Sequence, residues 1–130
     1  MKTEITFDEE HNYVVGRFEG ELNLAATKEY IKEVVSVAMR HPCRRFLNDL
    51  RKAHITLSII DLYYLPSFIV TEEFDRIWRR AILFASTTDL DKVDFFELTA
   101  SNQGLMVKTF TDVDKAIQWL NTGLNSKEQS

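Results

Sequence analysis

The chain has 130 residues, of which 45% are hydrophobic and 28% are charged, and its formal net charge is −4. This mixture is typical of one folded domain and excludes a disordered chain, which could not bury enough apolar surface to offset its ordering entropy. The acidic balance argues against non-specific nucleic-acid binding, and no apolar run approaches the roughly 20 residues that a membrane helix needs.

The amino-terminal part of the chain predicts two strands followed by an amphipathic helix. Residues 4–7 and 13–19 have strand-like patterns, and the short polar segment between them predicts an antiparallel hairpin. Gly16 lies inside the second strand, where it indicates a bulge or a close approach of another part of the chain. Residues 24–40 carry apolar side chains at three- and four-residue spacing after a suitable cap at Asn23, which predicts a helix.

The middle of the chain predicts a short strand, a loop and a second helix. Residues 45–50 have the length of a strand, and residues 51–57 are expected to form a polar loop. Ser58 and Asp61 have the spacing of a capping box, in which each side chain bonds a free amide at the start of a helix. Pro66 is expected to bend this helix or to begin a second short one.

The remaining sequence predicts two further pairs of strand and helix. Residues 80–85 are almost continuously apolar, which is typical of a buried parallel strand. A helix follows over residues 89–102, and the alternation over residues 105–110 predicts a half-exposed strand. Thr111 and Asp114 have a second capping-box spacing, so the last helix is expected to begin there.

The predicted order of elements is β-β-α-β-α-β-α-β-α, which is an α/β fold. We expect a single open, mainly parallel sheet with right-handed crossovers, to which the amino-terminal hairpin adds one antiparallel strand. The domain is predicted to span residues 1–124, followed by a polar tail over residues 125–130. Cys43 is the single cysteine, and the first residues lack an apolar signal segment, so we expect a reducing cytoplasm and no disulfide.

Ligands of such sheets gather at the carboxyl ends of the parallel strands, where loops meet the starts of helices. Residues 49–57, 86–88 and 111–112 are predicted to form those loops, and hydroxyl groups beside helix starts can bind an anion. The simpler interpretation is that Ser58 and Thr88 only cap helices. The candidate ligand or partner residues of the loops are Asp49, Arg51, His54, Thr56, Ser58, Ser86, Thr87 and Thr88.

Catalytic and metal sites are weakly supported by the sequence. Asp49, His54 and Ser58 have the residue types of a hydrolase triad, but the chain lacks a nucleophile-elbow motif. His11 and His41 are far from His54 in sequence and show no metal-ligand spacing. The chain also lacks a P-loop and a dinucleotide-binding glycine motif. We therefore expect no enzyme, no metal and no cofactor.

Two basic clusters are interpreted as solvated charges at a loop and at the start of a strand, balanced by nearby acidic residues. They are Arg40, Arg44 and Arg45, and then Arg76, Arg79 and Arg80.

The second predicted helix is apolar on most of its faces. Such a helix is either deeply buried or in contact with something else. The core, a second subunit or an apolar ligand could cover the surplus, and the sequence leaves these alternatives open. The residues predicted for an apolar interface or pocket are Tyr63, Tyr64, Phe68 and Ile69.

Several segments resemble SpoIIAA-like domains, which are relatives of the STAS domain of anti-sigma factor antagonists. They are FLNDLR, DLYYLP, RRAILF, NQGLMVKTF and TDVDKAIQWL, and the most specific part covers residues 104–120. The resemblance implies a bacterial protein with an open sheet wound as a right-handed βα superhelix. The STAS/SEC14-like label of these domains also implies binding of an apolar ligand.

The resemblance also bears on regulation by phosphorylation. Phosphorylatable STAS proteins carry a serine after an aspartate in the loop that corresponds to the one after residue 50. That position falls near His54 and Ile55 here, and the nearest hydroxyl groups are those of Thr56 and Ser58. We therefore expect constitutive binding without phosphorylation of this loop.

The preferred functional hypothesis is a non-catalytic, STAS-like regulatory or binding domain that acts through a protein partner or a small ligand. The alternative is a SEC14-like carrier of a small apolar or lipid-like molecule, which a cavity of a few hundred cubic ångström would favour. A homodimer through the second helix is also expected, because a small chain cannot easily bury all of that helix. Finally, Trp119 is predicted on the inner face of the last helix, where truncation to alanine would cost about 3 kcal/mol.

Overall fold

The computed structural model describes residues 2–41, 44–73 and 79–122, and within these ranges the chain forms five strands and four helices. The elements are β1 (Lys2–Asp8), β2 (Tyr13–Leu22), α1 (Leu24–Ala38), β3 (Arg45–Ile55), α2 (Ile59–Glu73), β4 (Arg79–Leu83), α3 (Leu90–Asn102), β5 (Met106–Phe110) and α4 (Val113–Asn121). Their order confirms the prediction. Cys43, Arg76 and the predicted tail lie outside the described residues.

The strands form one sheet in the order β1-β2-β3-β4-β5. β1 runs antiparallel to β2, and the other neighbouring strands are parallel, which confirms the α/β fold with its amino-terminal hairpin. Tyr30 of α1 contacts Asn48 on one face of β3, whereas Arg45 of β3 reaches Asn121 of α4 on the other face. The described helices include none that is long and apolar enough to cross a membrane.

The predicted loop after residue 50 is wrong, because β3 continues to Ile55. The strand stays paired with β2 after a register shift between Arg17 and Glu19. Its second half alternates exposed and half-buried side chains, so it lacks the apolar run that marks a buried strand. Asp49, Arg51 and His54 therefore lie on a strand and not on a loop.

Side-chain caps fix the starts of the helices. The Asp61 amide donates to the Ser58 hydroxyl at 3.1 Å and the Ser58 amide donates to the Asp61 carboxylate at 3.0 Å, which confirms that capping box. The caps of α3 and α4 are Asp89 and Asp112 rather than the threonines that precede them. A carboxylate accepts the free amides and also interacts favourably with the positive end of the helix dipole.

At Gly16 another part of the chain, the Tyr30 side chain of α1, closely approaches β2, which is one of the two alternatives that the sequence indicated. A Cβ atom there would lie 3.0 Å from the Phe46 ring and would collide with the Tyr30 hydroxyl. The register shift of β2 lies beyond it, after Arg17. Only glycine leaves room for Tyr30 to reach the sheet.

Two arginines that were expected to be solvated are buried instead. Arg45 is 9% exposed and Arg80 is 4% exposed. The Arg45 guanidinium donates to the His11 carbonyl at 2.7 Å and to the Asn121 side chain at 2.8 Å. Arg45 thereby ties the β1–β2 turn to the end of α4, which a surface charge would not do.

The last helix packs through a narrower face than predicted. Ala116 and Leu120 are fully buried, whereas Trp119 is half-buried beside the Phe110 ring at a centroid distance of 5.9 Å. The Arg79 guanidinium lies 5.5 Å from the centre of the indole ring. Trp119 was predicted on the inner face of this helix, and it does pack against the core, but at its edge and only half-buried.

Candidate ligand cavity

A cavity of about 410 Å³ lies between helices α1, α2 and α3 and the face of the sheet beneath them. α2 roofs it, since Leu62, Leu65 and Ile69 of this helix line the cavity opposite residues of β3 and β4. Most of the wall is apolar and belongs to the domain core. The main apolar lining residues are Leu22, Ile31, Val34, Phe46, Leu50, Leu57, Leu62, Leu65, Ile69, Ile82, Phe84, Val93 and Phe96.

The side chains of Tyr30, Asn48 and Arg80 form a small polar cluster among these apolar side chains, which we call the polar group of the cavity. The Tyr30 hydroxyl donates to the side-chain oxygen of Asn48, and the Arg80 guanidinium lies 5.5 Å from the centre of the Phe46 ring. All three polar residues line the cavity and are buried. Burial raises the pKa of Tyr30 and lowers the pKa of Arg80 to about 10. Near pH 7 the cavity therefore contains a protonated phenol and a charged guanidinium.

The more exposed cavity-lining side chains lie near the carboxyl ends of β3 and β4. Lys92 of α3 donates from its ammonium group to the Leu57 carbonyl at 3.0 Å, which links α3 to the segment before α2. The charged side chains of the whole lining are Arg51, Lys52, Arg80, Lys92 and Asp89. Two of the four basic groups are paired with acidic groups outside the lining, Arg51 with Asp49 at 2.8 Å and Lys52 with Glu19 at 4.0 Å.

The cavity contains half of the candidate loop residues. Arg51, His54, Thr87 and Thr88 line it, and the other four do not. Those four are Asp49, Thr56, Ser58 and Ser86. Strands β3 and β4 thus bring part of the predicted set together at their carboxyl ends, as the rule for parallel sheets requires.

Asp49 and Ser58 are engaged in contacts that do not form a catalytic triad. Burial alone would raise the pKa of Asp49. Hydrogen bonds that the Arg51 guanidinium donates at 2.8 and 2.9 Å nevertheless hold this pKa below its ordinary value. The Ser58 hydroxyl accepts the Asp61 amide as part of the helix cap. In the described ranges there is also no group of three His, Cys, Asp or Glu residues that could hold a metal ion.

The apolar residues predicted on α2 divide between two surfaces. Tyr63 and Tyr64 are exposed, with 57% and 64% of their surface accessible, and their rings pack edge to face. Phe68 is half-buried beneath the Lys28 ammonium group, which lies 5.3 Å from the centre of the Phe68 ring. Ile69 is only 3% exposed and lines the cavity.

Several residues of the site were not predicted from the sequence. Ile59 and Ile60 are exposed together with the two tyrosines, and we call these four residues the outer face of α2. Their spacing of four residues was a usable signal. Asn48 and Arg80 were also missed, although each is a polar residue within an otherwise apolar strand, which marks a buried polar group.

Comparison with solved structures supports the fold. The unphosphorylated anti-sigma factor antagonist SpoIIAA is 15% identical, the match covers 93% of this chain and 99% of that chain, and the TM-score is 0.55. An uncharacterized protein from Shewanella loihica, of the DUF3478 family with a SpoIIAA-like fold, is 18% identical over 92% of each chain, with a TM-score of 0.56. The chain therefore has the SpoIIAA-like fold. No protein-family model and no curated protein matches the chain.

Proposed function

We propose that this domain is a non-catalytic binding protein that holds a small, mostly apolar molecule beneath α2. The observation that carries the proposal is the cavity of about 410 Å³, which lies within the range of small-molecule sites. A space of this size between α2 and the sheet is large enough to hold a small molecule. The single cysteine is consistent with a role in the reducing bacterial cytoplasm.

The chemistry of the lining supports binding rather than catalysis. A hydrolase needs a base within hydrogen-bond reach of a nucleophile, and the Ser58 hydroxyl is part of a helix cap instead. Apolar walls with a few buried polar groups are the usual composition of a site that recognises a ligand. The polar groups then determine orientation and the apolar walls provide affinity.

Blocking the cavity tests this function. Ala53 is a half-buried cavity residue of β3, whereas Ala25 is exposed on α1 and does not line the cavity. Ala53→Trp fills part of the space with an indole, and Ala25→Trp is the matched control. We expect the protein purified from its host to retain a ligand in native mass spectrometry, and to lose it in Ala53→Trp only. Equal ligand occupancy in both variants would contradict the cavity as the binding site.

A second function is favoured by the outer face of α2. Ile59, Ile60, Tyr63 and Tyr64 are between 48% and 69% exposed and lie in pairs four residues apart at the start of α2. Exposed apolar patches rimmed by polar residues mark protein interaction sites. We propose that a second copy of this chain covers this face in a homodimer.

Replacing Tyr63 with glutamate is expected to abolish the dimer, because a charge would be buried in an apolar contact. At tens of micromolar, a concentration above a micromolar Kd, analytical ultracentrifugation should give the mass of a dimer for the parent chain. It should give the mass of a monomer for Tyr63→Glu. Met106→Glu is the control, since Met106 is 48% exposed but lies on β5 at the far edge of the sheet. A parent chain that sediments only as a monomer would rule out the homodimer.

A further inference from the structure

The polar group of the cavity indicates which class of ligand the proposed function requires. Asn48 is only 8% exposed and lines the cavity. Its side-chain oxygen accepts the Tyr30 hydroxyl, and the described residues provide no acceptor for its side-chain nitrogen. A carboxamide nitrogen carries two hydrogen-bond donors.

A donor that lines an apolar cavity and has no acceptor in the described part of the protein is open to an acceptor on a bound molecule. Asn48 is held in place by Tyr30, and Gly16 leaves the space that Tyr30 needs to reach it. The donor is therefore fixed in a cavity that is otherwise mostly apolar. An oxygen atom of a bound molecule would satisfy it.

The charges around the cavity favour an anionic oxygen. The Arg80 guanidinium is buried in the same lining. The only acidic side chain of the lining in the described ranges, Asp89, accepts the Asp91 and Lys92 amides as the cap of α3. The guanidinium of Arg80 is therefore a cationic group within the lining, where an anionic oxygen of a ligand could lie beside it.

The size of the cavity limits the rest of the ligand. A volume of about 410 Å³ accommodates roughly ten to fifteen non-hydrogen atoms, at about 30 Å³ for a water-sized group. Leu62, Leu65 and Ile69 of α2 supply an apolar roof over this space. A molecule with one anionic end and a hydrocarbon body of medium length matches both the polar group and the apolar walls.

We propose that the cavity binds small amphipathic carboxylic acids as anions, with the carboxylate held by the Asn48 carboxamide and the Arg80 guanidinium. A planar carboxylate offers two acceptor oxygens, which suits one amide donor and one guanidinium. The hydrocarbon body then lies beneath α2. This inference rests on the proposed binding function and adds the chemistry of the ligand's polar end.

Calorimetric titration with decanoate and with decan-1-ol tests the proposal. The two probes share a hydrocarbon chain and differ in charge, so we expect the parent chain to bind decanoate about tenfold more tightly. Asn48→Asp keeps an oxygen for the Tyr30 hydroxyl but replaces the donor with a negative charge. This variant should weaken decanoate binding by about tenfold or more and leave decan-1-ol binding nearly unchanged.

Asn102→Asp is the matched control, because Asn102 is exposed at the end of α3 and does not line the cavity. It should bind both probes as the parent chain does. Equal affinity of the parent chain for decanoate and decan-1-ol would overturn the carboxylate proposal and leave the binding function in place. Binding of neither probe would overturn both, and this comparison does not depend on the folding of any variant.

Discussion

Leu120→Ala is expected to lower the free energy of unfolding by about 4 kcal/mol, because it removes buried methyl groups and leaves a cavity. Leu120 has no accessible surface and lies in the core between α4 and the sheet. Chemical denaturation followed by circular dichroism measures the change. A loss of this size exceeds half the stability of a marginally stable domain.

Trp119 provides the comparison within the same helix. Since its indole is half-buried and packs on the Phe110 ring, Trp119→Ala should lower the free energy of unfolding by about 2 kcal/mol, less than Leu120→Ala. The sequence alone suggested a larger effect for Trp119. A greater loss for Trp119→Ala than for Leu120→Ala would contradict the orientation of α4 described above.

Gly16→Ala is expected to lower the free energy of unfolding by about 3 kcal/mol, because the new methyl group forces Tyr30 away from the sheet. The Tyr30 ring is 3% exposed and its hydroxyl bonds Asn48, so it has little freedom to move. The same change should also weaken binding in the cavity, since Tyr30 and Asn48 line it. Denaturant unfolding of the variant measures the loss of stability.

Gly104 is the matched control for Gly16. Its φ of +87° is unfavourable for alanine, but a Cβ atom there meets nothing within 4 Å. Gly104→Ala should therefore lower the free energy of unfolding by only about 1 kcal/mol, through the backbone alone. A loss for Gly16→Ala that is no greater than this would show that Tyr30 can be displaced easily.

The order of the elements was predictable because each has a strong local signal. The capping box at Ser58 and the apolar run around Ile82 mark their elements without reference to the rest of the chain. The second half of β3 lacked such a signal, since Lys52 and His54 are held in the strand by pairing with β2 rather than by burial. Pairing between distant segments is not visible in local periodicity.

The cavity was harder to predict than the fold. Its walls combine core residues of several helices and strands, and the identity of Leu65 or Ile69 does not reveal that space remains beside it. The sequence identified α2 as more apolar than a surface helix requires, and the structure divides that surplus between the roof of the cavity and the outer face. The polar group was missed because Asn48 was interpreted as part of an ordinary strand and Arg80 as a solvated charge at the start of one.

The mass of the intact, folded chain purified from its host tests the binding function most directly. Native mass spectrometry should show the protein with an added mass of roughly 150 to 250 Da, the range for ten to fifteen non-hydrogen atoms. The same sample under denaturing conditions should show the bare chain, since the ligand is held only by the fold. A native spectrum that contains the bare chain alone would contradict the account.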